Sequence, residues 1–198
     1  LVYDFETFQF STNFHSSLNQ AQTAPRRSFF YWITIIFNSV DPRRIKQVGP
    51  DRACAEWLLK NGAGVKWKED RDLLSDYNSL PSLESPRKHI QTVDATNSAI
   101  SHHGFPHFNG CNYIDEVKLV NCGYIYNEAI PLLSILKKTL NHLEISSCAN
   151  ISGKALLDLD KLTNLKTLKL GNMSHIEDKS EVMGKLTKAL PNCNIDFK

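Results

Sequence analysis

The sequence predicts an α/β fold in which a short parallel sheet, built from about four strand-plus-helix units, follows a small helical N-terminal domain. Two patterns lead to this prediction: an apolar motif that recurs at a nearly constant spacing in the second half of the chain, and a well-delimited helix that ends before residue 63. The 198 residues are 41% hydrophobic, which is enough to bury one core with a small appended domain.

Composition excludes several classes of protein. The formal charge of +2 arises from 23 basic and 21 acidic residues, so the chain lacks the clustered basic excess of nucleic-acid-binding proteins, and we expect no nucleic-acid partner. The five cysteines form no C-x-x-C pair and no even-numbered set, which favours buried, reduced thiols over zinc binding or disulfides. No run approaches the roughly 20 apolar residues of a membrane-spanning helix, so we expect the chain not to span a bilayer.

Residues 1–28 keep neither a helical nor a strand period and end in the run APRRS. We interpret them as a disordered segment or as a removable presequence. The paired arginines are typical of the end of a mitochondrial presequence, whereas Asp4 and Glu6 are atypical because transit peptides are poor in acids. Composition leaves both interpretations open.

Residues 29–40, FFYWITIIFNSV, form a dense aromatic and aliphatic run. Aromatic rings favour the headgroup level of a membrane, and the basic residues Arg43, Arg44 and Lys46 that follow would be attracted to an anionic leaflet. The run therefore predicts either a membrane-proximal arm or a helix packed on the rest of the protein. The residues assigned to the arm are Phe29, Phe30, Tyr31, Trp32 and Phe37.

A helix that starts at Pro50 and stops at Gly62 is predicted next, because proline is favoured in a first helical turn and Asn61-Gly62 is a typical left-handed stop. Residues 66–88 are charged and contain two prolines, so we interpret them as a connector with at most a short helical segment. Together with the arm, these residues make up the predicted N-terminal helical domain, residues 29–88.

An apolar motif of the form L-x-x-L-x-L-x-x-N/C recurs in residues 89–198, and this motif is typical of a leucine-rich-repeat solenoid. In each copy a short strand turns its apolar positions inward, and a Cys or Asn side chain satisfies the bend that follows. The bend positions 98, 122, 148 and 173 are nearly evenly spaced, and every interval between them lies inside the period of the class. The copies are Ile90, Val93, Ala95 and Ser98; Ile114, Val117, Leu119 and Cys122; Leu140, Leu143, Ile145 and Cys148; and Leu165, Leu168, Leu170 and Met173.

The same register predicts an exposed face of the sheet. Strand residues alternate between faces, so the residue between two inward apolar positions points outward in every copy. These outward residues alternate in charge, which predicts either a solvated, self-neutralising row or the polar pattern of a concave recognition surface. They are Asp94, Lys118, Glu144 and Lys169.

No catalytic site is predicted. The sequence contains no G-x-S-x-G, no P-loop and no G-x-G-x-x-G. The densest histidine group, His102, His103 and His107, is interrupted by a glycine and a proline that prevent a continuous helix bearing a metal pair, so we interpret these histidines as surface residues. We interpret the bend cysteines Cys122 and Cys148 as structural thiols rather than nucleophiles.

The blocks FFYWITIIFNSVDPRRIKQVGPDRACAEWLLKNGAGVKW, DYNSLP and IQTVDATNSAI, together with the cysteine-bearing repeats, resemble the mitochondrial ATP synthase subunit s family, also called coupling factor B. The resemblance covers residues 29–198, and VGPDRACAEWLL is its most specific part. It implies a non-catalytic protein held peripherally on the matrix side of the inner membrane, where it supports proton translocation through the ATP synthase membrane sector and energy coupling.

Two alternatives stay open beside this function. Related proteins are similar to assembly components of the distal membrane arm of respiratory complex I, so an assembly factor for that arm is the second candidate. The repeat SCANISGKALLDL also suggests a ubiquitin-ligase adaptor, although the N-terminal segment does not resemble an F-box.

The resemblance further implies a magnesium ion, which the family binds through a backbone carbonyl and a threonine. Those positions correspond here to Gly62 and Thr96. A helix C-terminus leaves carbonyls unsatisfied, and hard cations take oxygen ligands, although Gly62 could equally serve as a helix stop alone. Family members can also carry a second cysteine two residues before Cys122, where this chain has Val120, so a vicinal dithiol role is not carried over.

Overall fold

The N-terminal region of the computed structural model, which describes residues 32–198, is helical. The Asp41 carboxylate caps the second helix by accepting hydrogen bonds from the backbone N–H groups of Arg43 and Arg44, at 2.9 and 3.3 Å. Pro50 occupies the first turn of the third helix, and Gly62, with a φ of +80°, follows its end in the predicted left-handed conformation. The helices are α1 (residues 32–38), α2 (Pro42–Val48) and α3 (Pro50–Lys60).

A six-stranded sheet follows these helices, and its strands lie in chain order. The first strand is antiparallel to the second, and every later pair is parallel. The predicted α/β class is therefore confirmed. The strands are β1 (Gly64–Trp67), β2 (Ile90–Asp94), β3 (Glu116–Val120), β4 (His142–Ser146), β5 (Thr167–Gly171) and β6 (Asn194–Phe197).

Short helical turns, rather than long helices, connect most of the strands. The spacing of the repeats leaves room for little more than one helical turn once a strand and two loops are formed. Between β4 and β5, a short helix continues directly as a 3₁₀ turn. The turns are the 3₁₀ segments Tyr77–Ser79, His102–Phe108, Leu133–Leu136 and Leu157–Lys161 and the short helices α4 (Ala129–Leu132) and α5 (Gly153–Leu156). Between β5 and β6 the chain forms a longer helix, α6 (Lys179–Ala189).

Each of the strands β2 to β5 ends in a bend with the same backbone conformation. Asn97, Asn121, Ser147 and Asn172 have φ values between 49° and 58°, in a left-handed region that asparagine enters more readily than most residues. Their side chains bond across neighbouring bends: Asn121 Nδ2 donates to Asn97 Oδ1 at 2.7 Å, and Asn172 Nδ2 donates to Ser147 Oγ at 2.8 Å. The residue after each of them is the buried bend position of the motif, at most 5% exposed in every copy.

Two strands lie outside the sequence prediction. The connector interpretation of residues 66–88 is wrong at its start, because Lys66 and Trp67 belong to β1, where Trp67 is only 3% exposed. β6 is a fifth parallel strand, beyond the four expected, and its Ile195 and Phe197 pack on the core. Both strands are too short for a strand period to stand out, and pairing with a longer neighbour stabilises each of them.

Candidate functional site

The outward residues of the parallel strands form one row across the sheet. The strand register places Asp94 opposite Lys118, and Lys118 opposite Glu144. Glu144 lies opposite Lys169, which in turn lies opposite Asp196 of β6. These five residues, whose charges alternate in sign from strand to strand, are called the charge row below.

Lys118 and Asp94 bond to residues outside the charge row. Lys118 Nζ lies 3.4 Å from Glu116 Oε1 on its own strand. The Asp94 carboxylate accepts hydrogen bonds from the backbone N–H and the hydroxyl of Thr96, at 3.0 and 2.6 Å. Within residues 32–198 no ion pair joins two members of the row. Because neighbouring strands are about 4.8 Å apart, the row presents closely spaced charges that a partner can still pair.

A shallow depression of about 170 Å³ lies over the middle of the charge row. Lys118, Glu144 and Lys169 line it together with His142 and Thr167, whose Nδ1 and Oγ1 atoms are 2.7 Å apart. Binding sites for organic ligands are larger and mostly apolar. This depression therefore suits the charged side chains of a partner better than an enclosed small molecule.

The two residues assigned to magnesium lie at the same end of the β1–β2 pair. Gly64 pairs with Asp94, and continuing this antiparallel register in both strands leads to Gly62 and Thr96. Both are exposed, and the Thr96 hydroxyl already donates to Asp94. The neighbourhood thus offers carbonyl, hydroxyl and carboxylate oxygens, the donor types that magnesium prefers. Across residues 32–198, no group of three or more His, Cys, Asp or Glu side chains could hold a metal ion.

Of the predicted arm, Trp32 and Phe37 fall within the described residues. Their side chains are 58% and 62% exposed, and that of Ile36 between them is 47% exposed. The segment 1–28 and the arm residues Phe29, Phe30 and Tyr31 lie outside the described residues. In the described part of the chain, no helix has both the length and the apolar character needed to cross a membrane. α1 therefore turns large apolar side chains towards solvent.

The opposite side of α1 is fixed by the buried amide of Asn38. Its Oδ1 accepts hydrogen bonds from the Trp57 indole and the Ser101 backbone N–H, both at 2.9 Å. Its Nδ2 donates to the carbonyl oxygens of Thr34 and Ala99, at 2.9 and 3.2 Å. A fully buried polar group retains its place only when it is hydrogen-bonded, so this set of bonds determines where α1 docks. Asn38 gives no signal in the sequence, because an asparagine in an aromatic run belongs to no recognisable pattern.

Of the three clustered histidines, His107 packs against α3, whereas His102 and His103 are half-buried and contact each other, with ring centroids 4.0 Å apart. His107 is 6% exposed, stacks on Trp57 with ring centroids 4.9 Å apart, and has Nδ1 2.8 Å from the Gly104 carbonyl oxygen. The interpretation of His107 as a surface residue is therefore wrong. Burial lowers its pKa, so the ring is favoured in its neutral form.

The hydrogen bond between the two bend cysteines shifts the pKa values of their thiols in opposite directions. Cys122 Sγ donates to the Ala95 carbonyl oxygen at 2.9 Å, and Cys148 Sγ donates to that of Leu119 at 3.4 Å, which links each bend to the preceding strand. Hydrogen bonding to Cys148 and burial together raise the pKa of the Cys122 thiol. A thiol with a raised pKa is a poor nucleophile, which supports a structural role for Cys122, whereas the hydrogen bond with Cys122 lowers the pKa of the Cys148 thiol to about 7.

Comparison with known proteins places the chain in a family. It is 40% identical over 172 residues to "ATP synthase subunit s, mitochondrial" of Rattus norvegicus, covering 85% of this chain and 86% of the relative. Proteins of the same name from Homo sapiens and Bos taurus are 38% and 36% identical, over 87% and 85% of this chain and 88% and 86% of the relatives. The chain belongs to the mitochondrial ATP synthase subunit s family. No protein-family model matches it.

The match to subunit s proteins extends beyond the repeat region. It covers 172 to 175 residues, which is more than residues 89–198 contain, so part of the N-terminal region is shared as well.

One member of the charge row, Asp196, was not predicted from the sequence. Asp196 follows from the alternation of Ile195 and Phe197 on the core side of β6, a signal present in the sequence but confined to one short strand.

Proposed function

We propose that this chain is a non-catalytic, peripheral subunit of the mitochondrial ATP synthase, held at the matrix side of the inner membrane. There it supports proton translocation through the membrane sector and energy coupling. The observation that carries the proposal is the identity of 36% to 40% to proteins named as ATP synthase subunit s, over about 85% of the chain. The absence of known catalytic motifs from the sequence favours a binding role over an enzymatic one.

We further propose that β2 to β5 are leucine-rich-repeat units. The left-handed residues Asn97, Asn121, Ser147 and Asn172 recur at nearly equal intervals, and each interval lies within the period of that class. Every inward position of the four motif copies is at most 5% exposed. In such arrays the exposed strand face is commonly the binding surface, so we assign partner recognition to the charge row.

Attachment to the membrane is assigned to α1 and the run before it. Trp32, Ile36 and Phe37 form an exposed apolar surface, and Arg43 and Lys46, both exposed, follow on α2. Aromatic rings at the headgroup level and basic residues near anionic lipid are the usual elements of an interfacial anchor. This arrangement supports peripheral binding through α1 without a spanning segment.

Exposed positions offer a clean test of the anchor. Deleting residues 29–37 would also remove the Thr34 carbonyl that the buried Asn38 needs, so point substitutions are preferable. Trp32→Ser with Phe37→Ser should weaken sedimentation with vesicles of phosphatidylcholine and cardiolipin while thermal unfolding is unchanged. Leu83→Ser, which removes an equally exposed apolar side chain at 61% exposure, is the control and should bind like the unaltered protein. Equal sedimentation of all three proteins would contradict the anchor.

The complex that this chain serves is tested by crosslinking in intact mitochondria followed by mass spectrometry. We expect crosslinks to subunits of the ATP synthase membrane sector, reduced by substitutions in the charge row. Recovery of crosslinks with complex I assembly intermediates alone would overturn the proposal and establish the assembly-factor alternative. A cytosolic location of the tagged protein would instead favour the ubiquitin-ligase adaptor.

We also propose magnesium binding between Gly62 and Thr96, with Asp94 able to contribute a carboxylate oxygen. Hard cations take oxygen ligands and retain several waters, which suits two exposed residues at the end of a strand pair. Thr96→Ala should weaken magnesium binding in calorimetry, while Thr163→Ala, at another exposed threonine, should leave it unchanged. If both variants bound magnesium equally well, the proposed site would be contradicted, and Gly62 would act only as a helix stop.

A further inference from the structure

A cavity of about 300 Å³ opens beside the first turn of α3, away from the charge row and from the exposed face of α1. Pro50 and Asp51 of α3 and Trp67 of β1 line it, together with a stretch of chain between Pro81 and His89 that is called its outer wall below. No member of the charge row and neither proposed magnesium ligand lines it. The functions assigned above therefore leave this cavity unexplained.

Hydrogen bonds and ion pairs fix the walls of the cavity. The Arg52 guanidinium donates to the Pro81 carbonyl oxygen and, at 2.9 Å, to Glu56. Lys88 Nζ lies 2.7 Å from the Asp70 carboxylate. Prolines at both 81 and 86 restrict the backbone of the outer wall. A preformed cavity of this kind loses little conformational entropy on binding, which favours affinity.

The cavity is apolar inside and basic at its edge. Its lining contains the cations Arg52, Arg87 and Lys88, but Arg52 is already paired with Glu56 and Lys88 with Asp70. The one carboxylate of the lining belongs to Asp51. That carboxylate is already engaged by the Ile90 backbone N–H at 2.9 Å and by His89 Nδ1 at 3.0 Å. Arg87 is exposed and makes no ion pair with any residue from 32 to 198. The edge therefore favours a ligand that carries negative charge.

The exposure of the Leu83 side chain indicates that the ligand is larger than the cavity itself. It belongs to the outer wall, yet its side chain is 61% exposed, so a molecule confined to the cavity would leave much of it in water. A protein surface that inserts one side chain into the cavity would also cover Leu83. A buried apolar anchor surrounded by a charged rim is the usual arrangement at protein–protein contacts.

We propose that this cavity docks a segment of a partner protein that inserts one large apolar side chain beside Pro50 and Trp67 and places an acidic residue against Arg87. The proposal depends on cavity shape and charge complementarity, and it holds whichever complex the protein serves. It assigns a second contact surface, at the opposite end of α3 from the Asn38 contact with α1. Trp57, which makes the Asn38 contact, lies seven residues after Pro50, about 10 Å along the helix axis.

The test uses a displayed library of short random peptides selected on the full chain. We expect enriched peptides to carry a large apolar residue within a few positions of Asp or Glu. Ser85→Trp, which places an indole at the exposed lining position 85, should abolish their binding. Arg87→Glu should weaken it at least about tenfold, because a like charge then faces the acidic residue.

Lys138→Glu is the control, since Lys138 is also exposed but lies outside the cavity lining, and it should leave peptide affinity unchanged. Near-ultraviolet circular dichroism establishes that each variant is folded. A selection in which no peptide binds the unaltered protein better than the Ser85→Trp protein would overturn the proposal. So would peptides that bind Arg87→Glu and the unaltered protein equally, or cavity-dependent binding of anionic vesicles in place of peptides.

Discussion

The side-chain oxygen of Asn38 accepts a hydrogen bond from the Trp57 indole nitrogen over 2.9 Å, with Asn38 fully buried and Trp57 only 3% exposed. This contact attaches α1 to α3. The same Trp57 ring stacks on His107 and meets Phe108 edge-on, with centroids 5.5 Å apart. Trp57 therefore joins the N-terminal helices to the first turn of the repeat region.

Replacement of Asn38 by leucine should lower the free energy of unfolding by about 2–4 kcal/mol. The volume is nearly kept, but the Trp57 indole and the Ser101 backbone N–H lose their acceptor inside the protein. Urea denaturation measures the effect. Asn150→Leu removes a single hydrogen bond at an exposed site and should cost less than about 1 kcal/mol, so similar losses in both variants would argue against the Asn38 network.

Substitution of Gly104 by alanine should also destabilise the protein, by about 1–3 kcal/mol, because the added methyl group would overlap the Trp57 ring. The buried ring has little room to move away. Gly123→Ala is the control, since no atom lies within 4 Å of its added methyl group. Thermal unfolding of the two variants should differ clearly, and equal midpoints would show that Trp57 shifts without cost.

The stability contributed by Glu56 should depend on pH. Burial opposes the charged form of this carboxyl, but hydrogen bonds from Arg44 at 2.7 Å and Arg52 at 2.9 Å outweigh it and hold its pKa below the usual range. The contribution is thus present above the unfolded-state pKa of about 4.3 and is lost as pH falls through the lower folded-state value.

Glu56→Gln should therefore lower the free energy of unfolding by about 1–3 kcal/mol at pH 7 and by much less at pH 3. Urea denaturation at both pH values makes the comparison. Glu181→Gln, at the exposed pair with Lys185, should change stability little at either pH. A loss for Glu56→Gln that stays constant between pH 7 and pH 3 would contradict the assignment.

Cys122→Ser should be better tolerated than Cys122→Ala. Serine keeps a donor for the Ala95 carbonyl oxygen, and the first repeat already uses this solution, since the Ser98 hydroxyl donates to the same oxygen at 2.9 Å. Alanine loses both the donor and the volume, so a loss of about 1–3 kcal/mol is expected. If the serine variant unfolded at lower denaturant than the alanine variant, sulfur packing rather than hydrogen bonding would dominate the bend.

Charge reversal at Lys169→Glu should weaken binding to inner-membrane vesicles that contain ATP synthase, by about tenfold at low salt, and less at high salt. Stability should fall by no more than about 1 kcal/mol, because Lys169 is exposed and makes no ion pair within residues 32–198, although the new glutamate lies opposite Glu144 and Asp196. Lys154→Glu, at an exposed lysine of α5, is the control. Equal weakening by both variants would indicate a general effect of net charge instead of recognition by the charge row.

The sequence by itself determined the four parallel strands β2 to β5 and their register. Inward apolar residues stand at every second strand position, and the bends follow at a nearly constant spacing. Only one strand register then buries Val117, Leu143 and Leu168 together. A slip by a single position would expose all three. The placement of Asp94, Lys118, Glu144 and Lys169 in one row follows from the same periodicity. These are local, repeated signals, and a single chain displays them directly.

Only the tertiary structure decided how the N-terminal region joins the sheet. β1 forms because Val65 and Trp67 are buried when they pair with β2, a contact between segments separated by the whole connector, which no local period reveals. The Asn38 hydrogen bonds and the cavity beside α3 likewise bring together residues far apart in the chain. Such features depend on packing between elements rather than on the preference of any one segment, which is why they were absent from the sequence prediction.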